Sequence, residues 1–200
     1  MDLMTTRWFD RVRMYVDWDL ADRARIAKLR RYIEPELDQV VENLGQQLAK
    51  FKGTHSLMAN TRFVRRLHEV IREWLDGVLD GMFDDRYARE RSLFGRRLVE
   101  LELTFEDVIV LEELTRRQLF GLARSTLSDQ PQVLSSTMHT LDKAFNLDLA
   151  LIYSIYLEIR DAAMERALLD RFLTVTGFSR TLYESLADAR DIERGGMSVN

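Results

Sequence analysis

The sequence predicts an all-α bundle, and three observations carry that expectation. Breakers are scarce: 200 residues hold only 9 Gly and 2 Pro, which favours long helices over a turn-rich all-β fold. Apolar residues recur at steps of three and four along most of the chain, the period of helices that each bury one face. With 46% hydrophobic residues, the chain is long enough to bury a core as one domain.

The elements follow in order. Residues 4–17 carry Trp8, Val12 and Tyr15 at amphipathic spacing and predict a short first helix. Asp17 or Asp19 is placed to cap a helix over 20–32 whose expected inner face is Leu20, Ala24, Ala27 and Tyr32. Glu34-Pro35 restarts the chain into a helix over 35–51, with Leu37, Val40, Val41, Leu44, Leu48 and Phe51 as its apolar stripe. After a loop around Gly53 and His55, Asn60-Thr61 opens a helix over 61–81 with Phe63, Val64, Leu67, Ile71, Trp74, Leu75, Val78 and Leu79 inward. Asp84 or Asp85 caps the next helix, over 87–103, and Thr104 with Asp107 forms a capping box for the one after it, to about 127. From Pro131 to about Arg190 no further Pro occurs and Gly177 is the sole Gly, so one very long helix is expected. Its first half is strongly apolar; its second thins to a seam of Leu168, Phe172, Val175, Leu182 and Leu186, spaced as a and d positions are, with Ser179 interrupting.

Composition excludes several classes of function. The net charge of -4 and pI near 5.5 lack the basic footprint that nucleic-acid binding needs. There is no cysteine, which removes disulfides, thiol nucleophiles and thiolate metal sites and fits a cytoplasmic setting. No signal peptide and no apolar run of about 18 residues is present, so no membrane segment is expected. No phosphate loop, nucleophile elbow or Ser/His/Asp set is visible, and an enzyme is not expected. The paired acids Asp84-Asp85, Glu100/Glu102 and Glu112-Glu113 read as solvated faces, and Arg65-Arg66, Arg96-Arg97 and Arg116-Arg117 as outward charges. His55, His68 and His139 do not share a ligand spacing, so no metal site is predicted; each reads as a surface or satisfied histidine.

Several local patterns agree with one family. Trp74-Leu75, then Gly81, a Phe/Asp turn and Tyr87-x-x-x-Arg91 form one run. Leu103 closes the following helix, with Glu102 in place of a glycine, and Leu147-Asp148-Leu149-Ala150-Leu151-Ile152 with Tyr156 forms the last motif. In order and spacing, over roughly residues 5–170, this resembles the globin-coupled sensors. The resemblance implies a globin-like helical bundle with an extra N-terminal helix and an extended C-terminal helix.

The departures from that family decide the functional expectation. The histidine that binds haem iron in the family lies five residues before the position of Leu103, and Leu98 stands there. The family's distal tyrosine falls on Gly45. Neither residue can serve iron or a bound gas through its side chain. No haem is therefore expected, and the space lined by Leu44, Leu48, Leu67, Ile71, Phe94, Leu98, Leu101, Phe145 and Leu149 is either filled or keeps a smaller cavity for an apolar ligand. Close packing favours filling.

The resemblance also implies a homodimer through the last two globin helices, with the final helix leading to an output domain or a separate signalling protein. The expected organisation is a sensor domain over 1–167, a helical signalling extension over 168–192 and a loose tail over 193–200. The expected function is a non-haem sensory domain that relays a signal through its last helix. A haem-binding gas sensor that uses His68, and a purely structural dimerisation module, are the competing readings.

Overall fold

A computed structural model of the chain describes residues 3–51, 58–177, 179 and 181. The described residues form helices and no strand. They are α1 (Leu3–Tyr15), α2 (Leu20–Ile33), a 3-10 turn (Glu34–Glu36), α3 (Leu37–Leu48), α4 (Thr61–Asp80), α5 (Asp85–Glu100), α6 (Phe105–Thr126) and α7 (Pro131–Thr176). The chain divides into two compact units, Met1–Tyr156 and Leu157–Asn200, so α7 gives its residues 131–156 to the first and 157–176 to the second. No helix among the described residues is long and apolar enough to cross a membrane.

The helix starts follow the capping chemistry in the sequence. Asp19 caps α2 in a capping box with Asp22, Asn60 caps α4, Asp84 caps α5, and Thr104 and Asp107 form the box that starts α6. Gly81 ends α4 at φ 67°, the left-handed conformation glycine adopts at little cost. In the first unit α3 packs on α4 and α6, α2 packs on the same two helices, and α4 packs on α5. A continuous core runs through them from Ile26 and Leu29 to Leu147, Leu151 and Ile152.

Several sequence expectations need correction. In α2 the buried residues are Asp22, Ile26, Leu29 and Ile33, whereas Leu20 (81%) and Tyr32 (51%) are exposed, Ala24 is exposed and Ala27 is half-buried. At 100° per residue the two sets lie on opposite sides of the helix. A charged residue in the true inner face disguised it, and the branched side chains, with more apolar area to bury, took the core. In α1 Tyr15 is exposed, and Phe9, fully buried, is the anchor instead. Glu112 is buried rather than solvated and pairs with Arg116, whose guanidinium also meets Asp142 and lies over the Phe145 ring. The described part of the last helix ends at Thr176, followed by Gly177 at φ 69°. Leu182 and Leu186 of the seam, and His55, lie outside the described residues.

Asp22 is buried because it has partners. Thr140 Oγ1 donates to it at 2.6 Å, Lys143 Nζ at 2.8 Å and Arg25 Nη1 at 2.7 Å, which ties α2 to α7. Burial alone would raise the carboxyl pKa, but the bonds from Lys143, Thr140 and the Asp19 backbone N–H outweigh it and hold the value below the ordinary one. A depressed acid pKa stabilises the fold above the unfolded value of about 3.9, and this contribution is lost as pH falls from there through the folded value. Asp22→Asn should therefore flatten the fall of stability on acidification below about pH 5. Urea-unfolding midpoints across pH check it, and an unchanged acid slope would contradict the assignment.

Candidate functional site

The site grows from α5, the helix that carries Leu98. Asp84 accepts the Tyr87 backbone N–H at 2.9 Å and fixes the start of α5. Phe83 then packs on Trp18 and on Tyr87, each with ring centroids 4.5 Å apart. From this start the helix points Tyr87, Ala88, Arg91, Phe94, Gly95 and Leu98 inward. Leu98 is fully buried and belongs to the central apolar cluster. Gly95 lets α5 approach α7, for a Cβ there would lie 3.1 Å from Ile155 Cβ.

Four residues that the sequence motifs single out meet at one buried point. The Asp148 carboxylate of α7 accepts short hydrogen bonds from Trp74 Nε1–H of α4 and Tyr87 O–H of α5. Arg91 Nε lies 2.8 Å from the same carboxylate, and Arg91 Nη2 donates to the Trp74 backbone oxygen at 3.0 Å. The Arg91 and Asp148 side chains are only 5% and 1% exposed. The guanidinium also stands over the Tyr87 and Phe94 rings, 4.7 and 5.0 Å from their centroids. Burial pulls the Arg91 pKa down, but Asp148 beside it reverses the sign and keeps the arginine charged. The Tyr87 phenol is pushed well up by burial and by the Asp148 charge, against an opposing effect of Arg91. The residues hold three helices in register.

Gly77 makes this arrangement possible. A Cβ at that position would come within 2.1 Å of Arg91 Nη2. Sequence reading recognised Trp74, Tyr87, Arg91 and Asp148 as motif residues but missed their convergence, because the pairings span 17 to 74 residues. The sequence signal was an aspartate inside the most apolar stretch of α7, which a core helix tolerates only when the charge is met.

The remaining site residues sit as follows. Leu44, Leu48, Leu67, Ile71, Phe94, Leu101 and Phe145 are buried in the cluster with Leu98, and Leu149 is half-buried against it. Trp74 packs on Phe94 and Phe145, with ring centroids 6.0 and 6.2 Å away. His139 is exposed. His68 is not a surface residue: it is half-buried, and a Cβ on Gly45 would lie 2.4 Å from its Nε2. The imidazole thus rests on bare backbone at Gly45, and a side chain there would have to displace it. Among the described residues no three His, Asp or Glu side chains group as metal ligands would.

Comparison with known proteins places this architecture. The solved globin domain of the Geobacter sulfurreducens globin-coupled sensor superposes with a TM-score of 0.67 at 14% identity, covering 74% of this chain and 96% of that one. That likeness establishes a globin-like fold. No curated protein sequence matches. The sequence profile of the Protoglobin family matches residues 7–161, most of the chain and every residue of the buried site. A globin-like bundle in which those helices converge, together with that match, makes the chain a member of the Protoglobin family.

Proposed function

We propose that this chain is a sensory globin domain that works without haem, pairs with a second copy and passes its signal outward along α7. The observation that carries the reading is Leu98. Where the family resemblance calls for a nitrogen donor, the chain offers a fully buried hydrocarbon, and a leucine has no lone pair for iron. Neither histidine among the described residues replaces it. His139 faces solvent, and His68 Nε2 is turned onto the backbone of Gly45. These residues do not fit haem. A filled volume is favoured by the packing of Trp74 within the apolar cluster, stacked on Phe94 and edge-on to Phe145.

Exposed apolar side chains support pairing. Ile109 of α6 and Tyr153 of α7 are 43% and 46% exposed, and Tyr153 lies against Phe105 with ring centroids 5.0 Å apart. Further along α7, Met164, Leu168, Phe172 and Val175 are 50–78% exposed, at steps of four, four and three. A second copy packed on α6 and the first part of α7 would cover Ile109 and Tyr153; the line from Met164 to Val175 is spaced to pair with its own copy, and an output protein would read the end of such paired helices. No catalytic reaction is assigned, and a cytoplasmic setting fits a chain with no cysteine.

A haem titration followed by absorbance, with sedimentation on the same samples, tests the reading. The expected result is no Soret band at one haem per chain, together with a stable dimer. A sharp stoichiometric band abolished by His68→Ala would establish a haem sensor instead. A monomer at micromolar concentration would remove the paired-helix relay.

A further inference from the structure

We propose that the groove between α2 and the first turns of α7 is a docking site for an acidic amphipathic helix of a partner protein. The proposal does not depend on whether haem binds. It begins with the composition of α2, which carries five basic side chains and one acidic one in a chain of net charge -4. The single acid, Asp22, is buried. Arg25 and Arg30 are consumed by Asp22, Glu34 and Asp76. Arg23, Lys28 and Arg31 are exposed and pair with no carboxylate among the described residues. They sit beside Leu20, Ala24 and Tyr32, apolar surface that the bundle leaves in solvent.

A groove runs next to this face. Its volume is about 350 Å³, and it is lined by Ala24, Arg25, Lys28, Gln132, Val133 and Ser136. The floor is short and apolar, one wall is basic, the other is neutral and polar, and no carboxylate lines it. Charge complementarity therefore selects an acidic occupant. The outer face of α2 presents Leu20, Ala24, Ala27 and Arg31 at steps of four, three and four, the spacing along which one helix receives another. Apolar side chains of the incoming helix would meet Ala24 and Val133, while its Glu or Asp side chains reach Lys28 in the groove and Arg31 one turn further along α2. Nucleic acid fits less well, since the two cations beside the groove, Lys28 and Arg31, fall short of the roughly 6–10 phosphate contacts of duplex binders.

The test uses the full chain with a fluorescein-labelled peptide of Glu, Ala and Leu, about 18 residues long so that its helix is stable, and a Lys-for-Glu counterpart. Anisotropy should rise with the acidic peptide at low ionic strength, fall near 1 M salt where charges are screened within about 3 Å, and stay flat with the basic peptide. In the wild-type protein the acidic peptide should shift the amide signals of Ala24, Lys28 and Val133. Lys28→Glu with Arg31→Glu should weaken binding by about tenfold or more. Ala24→Trp should weaken it by blocking the floor without changing charge, and circular dichroism confirms that each variant folds. No binding of the acidic peptide, shifts on another face, or equal binding by the charge-reversed variant would overturn the proposal. So would stronger binding to duplex DNA or to phosphatidylglycerol vesicles than to the peptide.

Discussion

Asp148→Ala is expected to destabilise the fold by about 3–5 kcal/mol, the range for removing one partner of a buried ion pair. The substitution leaves the Arg91 guanidinium, 5% exposed, without its carboxylate, and strands the Trp74 N–H and the Tyr87 O–H. An orphaned charge in the core is worse than no charge, because desolvation remains while the Coulomb attraction is gone. The same logic predicts the contrast. The double variant Arg91→Met, Asp148→Leu removes both charges and should lose less than Asp148→Ala alone, even with two donors still unmet. Denaturant unfolding of the wild type, the single variants and the double variant completes the cycle. A loss below about 1 kcal/mol for Asp148→Ala, the size of an exposed pair, would show that water reaches the pair.

Gly77→Ala should be the second severe change, and its sign makes it diagnostic. In a helix interior, glycine to alanine ordinarily gains up to about 1 kcal/mol, through propensity and the loss of freedom in the unfolded chain. Gly121 on α6 is such a position: nothing lies within 4 Å of the point a Cβ would occupy there, so Gly121→Ala should stabilise. At Gly77 the new methyl would stand 2.1 Å from Arg91 Nη2. Arg91 cannot step aside without leaving Asp148 and the Trp74 oxygen. Overpacking alone costs about 1–3 kcal/mol, and an arginine pushed out of its pair brings the loss towards that of Asp148→Ala. Thermal melting of both glycine variants separates the cases. If both were stabilised by similar amounts, the tight seat of Arg91 would be wrong.

Local signals in the sequence were the legible ones. Asn60, Asp84, and Thr104 with Asp107 are caps whose chemistry is complete within four residues, and each sits where a helix begins. The broad apolar stripe of α4 places Leu67, Ile71, Trp74, Leu75, Val78 and Leu79 in the core as its spacing requires. The α2 face was misread because its true inner line contains Asp22, and periodicity discards a charged residue that only Thr140 and Lys143, far along the chain, make acceptable. Glu112 was misread for a different reason: its partner Arg116 is only four residues on, but that arginine is turned inward to Asp142 of α7 and takes the carboxylate with it. The seat of His68 on Gly45 leaves no sequence trace, since neither residue is unusual in its own helix. Of the site, the identities of the motif residues could be read, but not the carboxylate on which they converge.

The polar ties between α7 and the earlier helices also set a schedule for synthesis. Asp22 waits for Thr140, which is 118 residues downstream; at about 5–20 residues per second the ribosome needs roughly 6–24 s to deliver it. Until then Asp22 has only its local partners Arg25 and the Asp19 N–H, and Trp74, Tyr87 and Arg91 lack the Asp148 carboxylate. A collapsed intermediate that buried them early would carry an unmet charge and unmet donors, so compaction before α7 is made is penalised.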